Sequence, residues 1–311
     1  MMRNPVFGSS TRRRMRSYRA PLLISLYGAF LLVVSIGALS MMQQKGFTLG
    51  NLRIGLETYV YLVAMQFILI VLVAPALTAG LISGEREKQT LDLLLVTRVG
   101  AFQIIMGKLF STLCFLLLMI GSSLPAMVVT LFFGGVAFTD MLIALLFLSL
   151  CAFACCAIGI FFSALFKRSV TSTVFAYLAV FVIGVGTLVF PLLLQQKALT
   201  EAVMLSNQAA SGIGGSPSKL DVIWALPKMF YINPIIGLVT LLVNQTGLLQ
   251  RTFNDYISSY SYSFGNLYSV VSYSELIAYV NMAFLFVIGA LFSLFSAAFV
   301  KPSGRRARKR E

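Results

Sequence analysis

The sequence predicts an all-α integral membrane fold, and three observations carry that prediction. Of 311 residues, 59% are hydrophobic and only 11% are charged, against roughly 25% charged in a soluble domain. Six uncharged stretches reach the length of about 20 residues that a helix needs to cross a hydrocarbon core. The lysines and arginines crowd into the segments between and beyond those stretches. Runs such as Leu145-Leu146-Phe147-Leu148 are apolar on every side, which excludes the alternating pattern of a membrane β-barrel.

Taken in order, the predicted spans are Pro21–Met42, Thr58–Ile82, Leu109–Phe133, Met141–Phe166, Ser169–Gln196 and Leu276–Val300, within one transmembrane domain over 1–311. The first resembles a signal peptide in its basic flank. Its uncharged length exceeds the usual apolar region of such a peptide, and no clean small-residue cleavage site follows, so a retained helix is expected. Ahead of it, the arginine-rich Thr11–Arg19 fits an interfacial helix against anionic lipid. Pro75, Pro125 and Pro191 fall in or near the ends of three spans, where proline marks kinks.

Orientation follows from charge. Six basic residues precede the first span. Four lie between spans two and three (Arg86, Lys88, Arg98, Lys108), two between four and five (Lys167, Arg168), and six follow the last span, so eighteen of the 24 fall on one side. The positive-inside rule then puts both ends in the cytoplasm of a multi-pass cell-membrane protein. The net charge of +14 is explained by this arrangement, without nucleic acid as a partner.

The segment 197–275 is expected outside. It opens with a flexible Ser211–Pro217 link and continues into the uncharged Phe230–Leu249. Asn233-Pro234 and Asn244-Gln245 interrupt that stretch, which favours a re-entrant or interfacial helix over a seventh span. The tyrosine-rich 256–273 region suits a membrane–water interface.

The chemistry missing from the chain is informative. There is no histidine, so neither a Ser–His triad nor a His-ligated metal can be built. There is no phosphate-binding G-x-x-x-x-G-K-[ST] loop. The spans hold no ionisable residue of the kind proton-coupled transporters use. Cys114, Cys151, Cys155 and Cys156 all lie in spans and read as small packing residues. No cofactor, metal or catalytic group is expected.

The connection Ser83–Lys108 is the most informative segment. Its charge is mixed, with Glu85, Arg86 and Glu87 at the start, while Leu91, Leu94 and Leu95 recur at helical spacing. This predicts a short amphipathic cytoplasmic helix, with Gly100 where it should stop. The run S-G-E-R-E-K-Q-T-L-D-L-L-L-V-T, Ser83–Thr97, followed by Gly107-Lys108, resembles the signature of the ABC-2 type exporter permeases, E-R-E-x-x-T-L-x-x-L-L-x-T and then G-K. The preceding A-P-A-L-T-A-G-L-I, Ala74–Ile82, and the Asn4-Pro5 and Asn233-Pro234 pairs are similar to that family too. Arg98 stands where members often have proline, and Ser9 and Ser10 where an acidic residue is common.

The resemblance implies a coupling helix that docks on a separate ATPase subunit, through Glu85, Arg86, Glu87, Thr90, Leu91 and Leu94. Lys167–Ser169 is a second implied contact. The implied assembly holds two ATPase subunits and two permeases, as a homo- or heterodimer in membrane lipid, and exports a substrate at the cost of ATP. The other reading left open is a membrane anchor or sensor that binds a partner through its external loop without transport. A reporter fused after Glu311 should give an inside signal and one inserted near Gly214 an outside signal; outside signals from both would defeat the six-span prediction.

Overall fold

The computed structural model describes residues 8, 18–43, 52–90, 100–132, 136–194, 201, 204–205, 228–246 and 275–300. Leu91 and Leu94, most of the predicted interfacial helix before residue 19, the 211–217 link, the 256–273 region and the basic tail lie outside the described residues. Among the described residues the regular structure is helical, without a strand.

Ten α-helices are present among the described residues. They are α1 (Arg19–Gln43), α2 (Leu52–Thr78), α3 (Ser83–Glu87), α4 (Ala101–Ser122), α5 (Leu124–Phe132), α6 (Phe138–Leu165), α7 (Ser169–Phe181), α8 (Thr187–Leu194), α9 (Pro234–Thr246) and α10 (Glu275–Phe299). A π-helical segment, Val182–Gly186, joins α7 to α8, and a 3-10 turn, Lys228–Tyr231, precedes α9. Among the described residues, five helical stretches are long and apolar enough to cross a membrane: Gly55–Glu87, Phe102–Leu131, Phe138–Leu165, Ser169–Phe190 and Leu276–Phe299. In α1 the apolar stretch Pro21–Gly37 is shorter.

The helices overrun the uncharged stretches at several ends. α2 starts at Leu52, so Glu57 sits in its second turn, and α4 starts at Ala101, so Lys108 lies within it. Apolar length sets what hydrocarbon can hold, whereas the backbone hydrogen-bond ladder sets where a helix stops. The third predicted span is divided at Ser123. Pro125 has no N–H to offer Gly121, and the Ser122 and Ser123 hydroxyls bond back to the carbonyls of Met119 (2.7 Å) and Ile120 (2.6 Å). The fifth is a composite of α7, the π segment and α8.

α6 is the central helix, packed against α10, α2, α7 and α4. Its buried face is built from small residues, among them Ala144, Cys151, Ala152, Ala154, Cys155, Cys156, Ala157 and Gly159. The cysteines are free thiols. Small side chains let backbones approach where lipid supplies no hydrophobic drive between helices, so van der Waals contact has to hold them. The closest approach is at Gly159, where an added Cβ would lie 2.0 Å from Thr78 Oγ1 of α2. Along α10, Phe161 meets Phe292 edge-on at 5.1 Å between centroids, and Phe153 stacks on Phe286 at 6.0 Å.

α9 has 13 residues, about 20 Å at 1.5 Å per residue, against a hydrocarbon thickness of about 30 Å. It lies along α10 and touches α6, α2 and the π segment, and Ile236 to Leu238 and Thr240 to Val243 are buried.

Gly159→Val should force α2 and α6 apart and cost about 1–3 kcal/mol, as overpacking a tight contact does. Gly121→Ala, with nothing within 4 Å of the new methyl, is the control. Thermal unfolding of both variants in mild detergent checks this, and matching midpoints would mean that the helix contact tolerates expansion.

Candidate coupling site

α2 ends one turn after Pro75, and the chain turns at 79–82 into the five-residue α3. Such a short helix has little stability of its own, so its position depends on what binds it. Ser163 Oγ, near the end of α6, accepts hydrogen bonds from the N–H groups of Ile82 (2.8 Å) and Ser83 (3.0 Å). Ser172 Oγ of α7 donates to the Ala79 carbonyl at 2.7 Å. The turn between α2 and α3 is thus sewn to α6 and α7 before any charge is involved.

Each charged residue of the E-R-E run then takes a different helix. Arg86 Nη1 donates to the carbonyls of Ala164 (3.1 Å) and Phe166 (3.3 Å), at the C-terminal end of α6. That end carries unpaired carbonyls and the negative pole of the helix dipole, both of which a guanidinium satisfies. Glu87 accepts from the Ser169 N–H through Oε1 and from the Ser169 hydroxyl through Oε2, each at 2.9 Å. It therefore caps the N-terminus of α7, the positive pole. Glu85 forms an ion pair with Lys108 of α4, whose ammonium also donates to the Leu81 carbonyl at 2.7 Å. One short helix fastens the ends of α4, α6 and α7.

Thr90 closes α3. Its N–H bonds to the Glu85 carbonyl (3.0 Å), its hydroxyl reaches the same oxygen (3.2 Å), and the Gln89 N–H bonds to the Arg86 carbonyl (3.2 Å). With Gln89 at φ 55°, this is a Schellman stop with a left-handed residue after the helix. The predicted continuous helix from Glu85 through Leu94 to Gly100 is therefore corrected: α3 stops at Glu87, and Gly100 is the N-terminal cap position of α4. Glu85, Arg86, Glu87 and Thr90 come together, with partners inside this chain. Glu87 to Thr90 form the exposed edge.

Pattern reading missed the partners of these charges. Lys108 belonged to the motif but was not paired with Glu85, and neither Ser163 nor Ser172 carried a signal among the many membrane serines. Ser169 was flagged only through its loop, Lys167–Ser169, which is the stretch that Glu87 caps.

A second polar network lies around α9. Asn233 Oδ1 accepts from the N–H groups of Ile235 (2.7 Å) and Ile236 (3.3 Å), capping α9, while its Nδ2 donates to the Gly184 carbonyl of the π segment at 2.7 Å. Asn281 of α10 donates to the carbonyls of Tyr231 and Asn233, both at 2.8 Å. At the far end, the Tyr59 hydroxyl donates to Gln245 Oε1 (2.8 Å), and Gln245 Nε2 donates to the Asp140 carbonyl (2.9 Å). Of these residues, the sequence singled out Asn233, through its Asn-Pro pair, and Gln245, through the Asn244-Gln245 interruption.

Apolar helices of membrane length, bound at one end by an E-R-E motif, define a multi-pass helical membrane protein. Residues 47–298 match the model of the ABC-2 family transporter proteins, and the chain belongs to that family. The match covers everything from α2 to the last turns of α10, the motif included. No curated protein matches the chain. It is a membrane permease component of an ABC transporter, from a family that is not itself catalytic and normally works with an ATPase subunit.

Arg86→Ala should cost about 1–3 kcal/mol, because it strands carbonyls at the α6 terminus. Glu87→Ala should lower stability as well, because it uncaps the start of α7. The exposed Lys88→Ala should stay within about 0.5 kcal/mol. Unfolding of the detergent-solubilised chain measures all three, and an equal response from each would argue that the residues are only a solvated loop.

Proposed function

We propose that the chain is the membrane-spanning permease subunit of an ABC exporter and that α3 carries the stroke of a separate ATPase into the helix bundle. The observation that carries this reading is the division of labour in the E-R-E run. Three consecutive charges hold three different helices, and α3 follows α2 through the short turn at 79–82. Pressure on so short an element moves four helix ends as one body, the kind of rigid displacement that switches a bundle between two packings.

The topology we propose has six crossings, with α1 as the first and both ends in the cytoplasm of a cell-membrane protein. The 25 residues of α1 span about 37 Å at 1.5 Å per residue, and the basic-residue distribution supports the orientation. α9, too short to cross, is a re-entrant or interfacial helix on the outer side. Two ATPase subunits and a second permease, identical or related, complete the assembly, and the substrate moves outward.

Since Glu85, Arg86 and Glu87 are engaged within the chain, they position the docking element, and their contact with the ATPase is made from its exposed edge at Glu87 to Thr90. Leu91 and Leu94, just beyond, supply apolar anchors in a cleft of the ATPase. A charged rim around apolar anchors is the usual anatomy of such a contact.

Co-purification of the ATPase subunit with the tagged chain tests this. A Leu91→Asp, Leu94→Asp double variant should lose the partner, since removing a single buried leucine already costs about 2–5 kcal/mol, more than tenfold in affinity. Glu85→Ala should keep the partner but transport poorly, and Lys45→Ala should change nothing. Normal association and transport in the double variant would end the coupling proposal.

A further inference from the structure

A cavity of about 290 Å³ lies between α2, α6, α7, the π segment, the start of α9 and α10. Its lining is apolar, and its one polar side chain, Tyr177, has its hydroxyl committed to the Leu72 carbonyl at 2.6 Å. No lining side chain is left to orient a polar ligand, and an apolar cavity does not hold water. The floor is closed, with Cys151 at 1% and Leu285 at 3% exposure. The rim is open, with Leu72 at 53% and Phe181 at 61%. The opening is therefore lateral, between α2 and α7, on a surface of exposed apolar side chains.

Its depth identifies what it faces. Leu72 stands six residues from the end of α2, Cys151 fourteen from the end of α6, and Val185 sixteen beyond the start of α7. At 1.5 Å per residue, the cavity runs about 9–24 Å from the clamped helix ends, within a hydrocarbon layer about 30 Å thick. An unfilled space of this size would deprive its walls of dispersion contacts. An engineered apolar cavity of about 150 Å³ already admits benzene. The solvent at the mouth is lipid.

We infer that the cavity is a lipid site, in which one acyl chain of a bilayer phospholipid enters sideways between α2 and α7 and lies against Cys151, Cys155 and the π segment. The inference rests on membrane embedding and is independent of coupling to an ATPase. The wide turn of the π segment, with no side chain at Gly184, leaves the width that a hydrocarbon chain needs.

The full chain in phosphatidylcholine nanodiscs, doped with a phosphatidylcholine bearing a diazirine midway along one acyl chain, tests this without any ATPase present. Illumination should crosslink lipid to the buried peptide carrying Cys151–Ile158. Ala154→Phe, which fills the cavity, should abolish those crosslinks while leaving those at the exposed Leu294 and Phe295 of α10 unchanged. Ile158→Phe serves if the first variant does not fold. A probe carrying the diazirine next to the headgroup should not label the Cys151–Ile158 peptide. A wild-type Cys151–Ile158 peptide without lipid beside a labelled α10, from an empty cavity or a covered mouth, would overturn the inference. So would crosslinks that persist in the filled variant, because the lipid would then be at the surface only.

Discussion

Hydrocarbon offers no partner to an unpaired backbone N–H or C=O, and each such group costs several kcal/mol there. Most of the described architecture answers that constraint. Where a helix runs unbroken the ladder pairs itself; where the chain departs from it, a side chain has been recruited. The turn between α2 and α3 is bonded by Ser163 and Ser172, the end of α6 by Arg86, the start of α7 by Glu87 and the start of α9 by Asn233. Asn233 also serves the π segment, where the wide turn presents the Gly184 carbonyl sideways. The irregular points of the backbone and its polar side chains are one set.

That economy explains why the E-R-E run is charged where a plain loop would do. A helix end has two faults, unpaired groups and an uncompensated dipole. An arginine at a C-terminus and a glutamate at an N-terminus each repair both. Because α6 ends where α7 begins, with only 166–168 between them, opposite charges one residue apart can reach both ends. Glu85 faces the remaining neighbour and meets Lys108. The motif is local in sequence because four helix ends are local in space.

Packing obeys a second rule, that close approach needs small residues. Gly159 admits Thr78, and Gly237 admits Asn281, whose Oδ1 would lie 2.1 Å from an added Cβ. The same crowding that brings α9 onto α10 places the asparagine amide within reach of the 3-10 turn and the cap of α9. Where α7 widens into its π segment, close packing stops and the lateral cavity opens.

The sequence alone determined the solvent of this protein and the order of its helices, since 59% hydrophobic composition and uncharged stretches of membrane length admit one class of fold. It also marked the E-R-E run, whose Glu85, Arg86, Glu87 and Thr90 stand together in one short element. What it could not yield was which way those charges turn. Helical periodicity reads a residue's angle about its own axis, whereas Arg86 and Glu87 are directed by the ends of α6 and α7, about 80 residues away along the chain. For the same reason the spacing of Leu91 and Leu94 extended α3 past Thr90, where a tertiary anchor and a Schellman turn end it. The division at Ser123, the π segment and the Tyr59–Gln245 link were decided in three dimensions, because hydrogen-bond competition and interhelical distance leave no periodic trace in an apolar run.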